Sequence, residues 1–489
     1  MSTISAPEEQ KVLEQVPKQL YIGGEWRDGG KGTFPVEDPA TGESLCEIAD
    51  ASADDAKAAL DAAVAAGPEW SQHPPRERGE ILRRAYELLI KRSDELALLM
   101  TLEMGKPLAE SKGEITYAAE FLRWFAEEAV RIGGDYAVAP NGAGRFLVTR
   151  QPVGPALLIT PWNFPMAMGT RKIGPAVAAG CTMVIKPAAQ TPLSMLALAG
   201  ILAEAGLPEG VLNVLTTSNS GGVMEPLIRD GRARKLSFTG STAVGRKLLE
   251  QCAEKVLRTS MELGGNAPFL VFEDADLDAA LDGVMQAKMR NIGEACTAAN
   301  RIYVQRGLVE EFSRRMAERM SALPMGRGTE DGVVVGPLID KAAVEKVSSL
   351  VKDAVKRGAK VLTGGSTVEG PGNFFPATVL VDVPQDAKLV SEEIFGPVAP
   401  ILSFDTEDQA VAAANDTEFG LVSYLYTSDL KRGLRVSERL ETGMVGLNQG
   451  IVSNPAAPFG GIKQSGLGRE GGKVGIEEFL EIKYVAVSL

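Results

Sequence analysis

The feature that most constrains this chain is a β/α rhythm that begins near residue 155. Short apolar runs, PALLIT (155–160), CTMVIK (181–186), GVLNVLT (210–216) and ARKLSF (233–238), alternate with helical stretches such as MLALAGILAEAG (195–206), and GRKLLEQCAEK (245–255) follows the last of them. Near-continuous apolar strands separated by helices are buried most simply as a parallel sheet covered on both faces. Such sheets bind ligands beyond the carboxyl ends of their strands. The rhythm returns in KVLTGG (360–365), in VAPILSF (398–404) and near MVGLN (444–448), which predicts a second α/β domain. The 489 residues are enough for two such units, at roughly 150 residues per domain.

The flanking segments read differently. Residues 1–20 are polar, and YIGGEW (21–26) suggests a short strand and turns. From about residue 52, DDAKAALDAAVAAG, RERGEILRRAYELLIKRSDELALLMTLEMGK and EITYAAEFLRWFAEEAVRIGG (114–134) carry helical spacing, the last ending at a glycine pair. In YAVAPNGAGRFLVTRQPVG (136–154) apolar and polar residues alternate on both sides of a Pro-Asn-Gly turn, as in a β-hairpin. Its strand edges need covering or pairing. The tail EIKYVAVSL reads as a terminal strand.

Charge and two small counts exclude several chemistries. With 51 Lys plus Arg against 64 Asp plus Glu, the formal charge is −13, which speaks against a nucleic-acid or anionic-membrane surface. The single histidine, His73 in SQHPPRER, rules out a zinc site built from several histidines of one chain. It reads as a solvated loop residue. Cys46, Cys181, Cys252 and Cys296 form no C-x-x-C pair, the N-terminus lacks the apolar stretch of a signal peptide, and no apolar run approaches the ~18 residues of a membrane span. The expectation is a soluble, cytoplasmic protein with free thiols and no metal.

Four features could carry chemistry. FTGSTAVGRKLLEQ places Gly240 and Gly245 between a strand and a helix, where free N–H groups can face a phosphate. A plain turn is the other reading, and Arg246-Lys247 after Gly245 exclude a phosphate loop of the GxxxxGK[ST] kind. Cys296, in RNIGEACTAANR, is either an inert small hydrophobe or, in this polar Gly-bearing loop, an accessible thiolate. Glu262, in MELGGNAPFLVF, is either an exposed strand-end carboxylate or a partly desolvated one with the raised pKa of a general base. Asn163, in ITPWNFPMAMGTRK, makes either an Asx turn before Pro165 or an amide that stabilises an oxyanion.

PWNFP (161–165), VIKPAAQTP (184–192), FTGSTAVG (238–245), MELGGNAPF (261–269), the Cys296 segment, EEIFGP (392–397) and PFGGIKQSGLGRE (458–470) together resemble the aldehyde dehydrogenase superfamily in order and spacing, from about residue 20 to the end. The resemblance implies an α/β fold with a Rossmann-like cofactor domain (1–134 and 154–262), an α/β catalytic domain (263–460) and a small β oligomerisation arm (135–153 and 470–489). The arm would cover its edges by pairing across the subunits of a homodimer or homotetramer. The resemblance further implies Cys296 as nucleophile, Glu262 as general base, and Asn163 with the Cys296 N–H as oxyanion hole. It places Trp162, Lys186, Gly240, Ser241, Leu263, Glu393 and Phe395 around a nicotinamide dinucleotide. Many NAD-preferring relatives carry Glu three residues after the lysine. Ala189 stands there in this chain, so NADP is the expected cofactor and NAD the alternative.

The nearest branch resembled is that of succinate-semialdehyde dehydrogenases, where Arg171, Arg290 and Ser453 match positions that hold the far carboxylate of a short ω-oxo acid. Arginine suits that task through its planar fork. Two departures stand out in Glu294-Ala295-Cys296-Thr297-Ala298. The second cysteine of many members is absent, so no disulfide switch is expected on this loop. Glu294 replaces a glutamine and is expected to add negative charge near the mouth, which keeps glutarate semialdehyde or another aldehyde open as substrate. A cysteine hydrolase or esterase without redox chemistry is the alternative from another class.

Overall fold

The computed structural model describes residues 4–488. Its first sheet has eight strands, ordered Glu25–Arg27, Leu20–Ile22, Leu212–Val214, Met183–Lys186, Ala156–Ile159, Lys235–Thr239, Arg258–Glu262 and Gly466–Leu467. The five strands from Leu212–Val214 to Arg258–Glu262 run parallel. Side chains alternate between two cores: Leu158 and Ile185 pack into one, Leu157 and Val184 into the other. Both faces are therefore covered, which is why these segments read as continuous apolar runs rather than as alternating ones.

The strand order reverses beside Ala156–Ile159. The chain first adds strands on one side (183–186, then 212–214) and later on the other (235–239, then 258–262). At such a switch point the connections diverge and leave a crevice beyond the strand ends. Residues 160–166 leave one of these ends and Gly240–Ser241 the other.

The second sheet has seven strands, ordered Lys360–Thr363, Thr378–Val381, Val398–Phe404, Ala299–Gln305, Ala267–Val271, Val422–Tyr426 and Met444–Leu447. All pairings are parallel except that of the edge strand Lys360–Thr363. A separate core surrounds it. The chain passes from the first sheet to the second between Glu262 and Ala267.

A third sheet of three antiparallel strands comprises Asp135–Val138, Arg145–Pro152 and Leu480–Val487. The hairpin forms around Pro140-Asn141-Gly142, as expected. The free edge of its long strand is not left for a neighbouring subunit, however: Leu480–Val487 of the same chain pairs with it along its whole length. Tyr136, Ile482 and Tyr484 remain exposed on this sheet.

His73 departs from the solvated loop residue expected of it. It caps the helix Ala53–Gln72, stacks on the buried Trp70 with ring centroids 5.0 Å apart, and lies 3.0 Å from Glu77. No helix among the described residues is long and apolar enough to cross a membrane.

Candidate active site

A cavity of about 220 Å³ opens at the switch point. The first sheet lends it Trp162, Asn163, Gly240, Ser241, Glu262 and Leu263, and the second lends Cys296, Glu393 and Phe395. Met168, Thr239 and Lys346, which the sequence did not single out, also line it.

Asn163 is held from both ends. Its Oδ1 accepts the Phe164 N–H (3.1 Å), and its Nδ2 donates to the Glu294 carbonyl (3.0 Å). An Asx turn to residue 165 is impossible because proline has no N–H. The Asn163 carbonyl accepts Lys106 Nζ (2.8 Å) and Asn291 Nδ2 (3.1 Å). Lys106 also meets Glu114 at 2.5 Å, both side chains being buried, and Glu114 Oε1 takes the N–H groups of Met166 and Ala167. One N–H of the Asn163 amide is thus committed to the Glu294 carbonyl. The other has no protein acceptor among the described residues.

Cys296 follows the helix Leu277–Met289 on a tightly wound loop. Asn291, Ile292 and Gly293 all have positive φ (49°, 49° and 82°). For the first two this costs of order 1–3 kcal/mol each, offset by the Asn291 side-chain bonds and by its N–H on Glu110 (2.6 Å). Gly293 admits no side chain, because a Cβ there would lie 2.3 Å from the Gly396 carbonyl oxygen.

The Cys296 thiol is half-buried. Burial pushes it up to about 12, and Glu262 and Glu393 add to this against the opposing pull of Arg171 and Arg290. A group so placed is protonated at neutral pH and needs a base to ionise it. Glu262 ends its strand in the same cavity, 4% exposed, with Oε2 unpartnered among the described residues. Burial, and next the negative charge of Glu470, raise its carboxyl well above the ordinary value, which makes it a stronger base. Burial alone would also raise Glu470, but Lys172 (2.5 Å) and Arg171 (2.9 Å) keep it low and ionised.

The turn at Gly240 fits a phosphate-bearing group. Ser241 caps the helix Thr242–Ala253, whose N-terminus opens on the cavity, and a Cβ at Gly240 would lie 2.5 Å from Phe238 Cζ. Backbone N–H groups at a helix start attract anions. Glu393 Oε1 accepts the Gly265 N–H (3.0 Å), and Phe395 stands edge-on to Trp162 with centroids 5.4 Å apart. The Leu263 N–H is engaged by the Ser465 carbonyl (2.9 Å) and the Trp162 carbonyl by Thr191 (3.2 Å).

Lys186 and Ala189 do not line this cavity. Lys186 donates to Ser220 (3.0 Å) and is lowered to about 8 by burial, while Ala189 borders a separate hollow of about 180 Å³ with Glu103 and Asp340. Arg290 donates to Ser453 Oγ (3.3 Å) and lies over the Phe164 ring at 4.9 Å. Arg171 is buried over Phe459 at 3.9 Å and pairs with Glu470, so it is not the free cation expected, although its Nη2 has no acceptor among the described residues.

Glu294 corrects a further expectation. It carries no charge to the mouth, because it is fully buried behind the thiol loop, where its Oε1 accepts the Ile339 N–H (3.1 Å). Lys106, Glu114, Lys172 and Glu470 were missed as a group. Each lies in an ordinary polar context, and only the fold reveals the partner.

The family model described as "Aldehyde dehydrogenase family" matches residues 26–485. A succinate-semialdehyde dehydrogenase of Paenarthrobacter nicotinovorans is 58% identical over 91% of this chain and 99% of that protein. A glutarate-semialdehyde dehydrogenase of Pseudomonas putida is 53% identical over 96% and 98%. The crystal structure of an E. coli NADP-dependent enzyme superposes with a TM-score of 0.96 at 51% identity, covering 100% of both chains.

Proposed function

The chain belongs to the aldehyde dehydrogenase family and is an aldehyde dehydrogenase, and on that premise we propose that it oxidises succinate semialdehyde to succinate with NADP in the cytoplasm. The observation that carries the reading is the meeting of Cys296, Glu262 and Asn163 in one cavity beside a turn suited to a dinucleotide.

Glu262 takes the Cys296 proton, and the sulfur adds to the aldehyde carbon to form a thiohemiacetal. The free N–H of the Asn163 amide, with the Cys296 N–H, holds the developing alkoxide; losing one such donor typically costs ~3–4 kcal/mol of barrier. A nicotinamide dinucleotide, when bound, supplies the acceptor for the hydride that leaves this carbon. Cys296 then carries a thioester. Once it has passed the thiol's proton to solvent, Glu262 draws a proton from water so that the oxygen attacks the acyl carbon; the C–S bond breaks, the acid departs, and the leaving sulfur takes the proton back from Glu262. Gly240, Ser241 and Leu263 would hold the phosphates and nicotinamide end, Glu393 and Lys186 the riboses, with Trp162 and Phe395 as walls.

Two features support NADP: position 189 is Ala, which presents no carboxylate to repel a 2′-phosphate, and the E. coli structure is named NADP-dependent. Arg290 with Ser453, and the unsatisfied Nη2 of Arg171, favour a distal carboxylate on the substrate. Glutarate semialdehyde is the second reading, favoured by the P. putida relative. We assign 1–134 with 154–262 to the cofactor domain, 263–460 to the catalytic domain, and 135–153 with 470–489 to an arm through which the chain forms a homodimer or homotetramer.

The test is the absorbance of reduced cofactor across a matrix of NADP or NAD with succinate semialdehyde, glutarate semialdehyde and an uncharged aldehyde. The highest kcat/KM is expected for NADP with succinate semialdehyde, and a preference for the uncharged aldehyde overturns the substrate assignment. Arg290→Ala should lower kcat/KM for both ω-oxo acids by about 10- to 100-fold and spare the uncharged aldehyde. Equal losses reject the clamp.

A further inference from the structure

Glu294 has no part in the chemistry just described, yet it joins three pieces of the site. Its backbone carbonyl is the acceptor of two amides, Asn163 Nδ2 and Asn291 Nδ2, each at 3.0 Å. Its side chain reaches away from the cavity and ties the thiol loop to the Ile339 N–H at 3.1 Å. That N–H immediately precedes Asp340, the cap of the helix Lys341–Lys356, whose Lys346 lines the cavity. One residue therefore links the oxyanion amide, the loop that bears the nucleophile and the helix on the far wall.

The second carboxyl oxygen, Oε2, is fully buried and has no hydrogen-bond partner among the described residues. Two charged groups face this carboxyl from the elements packed on it. Lys106, ahead of the helix Leu108–Glu128, is already committed to Glu114 and the Asn163 carbonyl; Asp340 is itself acidic and caps the Ala343 N–H. An ionised carboxylate with no cation of its own is costly at such a site. Burial raises the group well above the usual carboxyl range, and Asp340 adds to this, whereas the Ile339 N–H and Lys106 compensate only in part.

We propose that Glu294 is a positioning residue that acts as an uncharged acid, setting the Asn163 amide against the Cys296 loop. The proposal rests on the assignment of Cys296 and Asn163 made above, and its test includes a readout that does not depend on turnover.

Glu294→Gln keeps an acceptor for the Ile339 N–H without a titrating group. It should leave kcat/KM within about twofold of wild type at pH 7. A carboxyl whose folded pKa is raised costs no stability below its unfolded pKa. The cost grows as pH climbs from there to the folded pKa. The Tm advantage of Glu294→Gln over wild type should therefore be near zero at about pH 4 and widen steadily as pH rises. A constant difference overturns the uncharged-acid assignment.

Glu294→Ala removes the tether and should lower kcat by about 10- to 100-fold, with the Kd for NADP unchanged. Unchanged kcat, or an equal loss in Glu294→Gln, overturns the positioning role. If Glu294→Ala does not fold, the kcat and Tm series of Glu294→Gln decide. Should Cys296→Ala keep wild-type turnover, the assignment of the nucleophile falls instead, while the Tm series still reports on Glu294.

Discussion

At the scale of the residue, the site is governed by two acids that hold their protons more tightly than in water. The Cys296 thiol, pushed up to about 12 chiefly by burial, is a poor thiolate source in the resting protein. Its alkylation by iodoacetamide should be about a hundredfold slower at pH 7 than that of free cysteine, after allowing for the greater nucleophilicity of a high-pKa thiolate. The rate should climb with pH without levelling before pH 10, and a plateau below pH 8 would show an already activated sulfur. Glu262→Gln should release its first equivalent of reduced cofactor more slowly than wild type, because the thiol loses its base, and then turn over at least ~100-fold more slowly; an unchanged steady state would remove Glu262 from the hydrolytic step. The residues that converge here were legible because short motifs mark them: PWNFP around Asn163, MELGG around Glu262. Lys106 and Glu470 were not, because their contacts reach to Asn163 and to Lys172, 57 and 298 residues away. No local pattern announces a buried ion pair such as Lys172–Glu470, whose halves are 298 residues apart.

At the scale of the element, the strands of the first sheet lie close to where the apolar runs placed them, because a strand buried on both faces has an unmistakable composition. The helices were harder to bound. The run from residue 76 to 106 reads as one helix, yet it breaks at Arg92 (φ −103°, ψ 17°) into Pro75–Lys91, which buries one face, and Ser93–Met104, which is buried on all sides from Leu96 onward. Conversely, the helical segment DDAKAALDAAVAAG ends at Gly67, yet the helix Ala53–Gln72 runs on through Pro68, its last turn anchored by the buried Trp70. Packing overrides local preference in both cases. The helix Leu108–Glu128 supports the site from behind, since Glu114 clamps Lys106 and the start of the helix Ala167–Ala179 together. Lys106→Met would leave the Glu114 carboxylate buried without its cation. Urea unfolding should show a loss of about 3–5 kcal/mol along with reduced kcat; a change under 1 kcal/mol would mean that Glu114 finds another partner.

At the scale of the whole molecule, the two large sheets meet at the cavity and neither alone holds a complete set of groups, since Asn163 and Glu262 come from one and Cys296 from the other. The three-stranded sheet stands apart from this, and Tyr136, Ile482 and Tyr484 are 68%, 68% and 64% exposed on it, which is the surface we propose for the association of copies. The double variant Ile482→Lys, Tyr484→Lys should sediment as a smaller species than wild type while keeping its far-UV circular dichroism. An unaltered sedimentation coefficient would place the contact elsewhere.

That sheet also imposes a timetable on biosynthesis. Pro152 pairs with Leu480, and the rest of Arg145–Pro152 with the residues up to Val487. Ribosomes add about 5–20 residues per second, so the earlier strand waits roughly 15–65 s for its mate, with a row of amide and carbonyl groups open to any passing chain. A slow codon stretch late in the message would lengthen that interval and should raise the share of nascent protein held by chaperones.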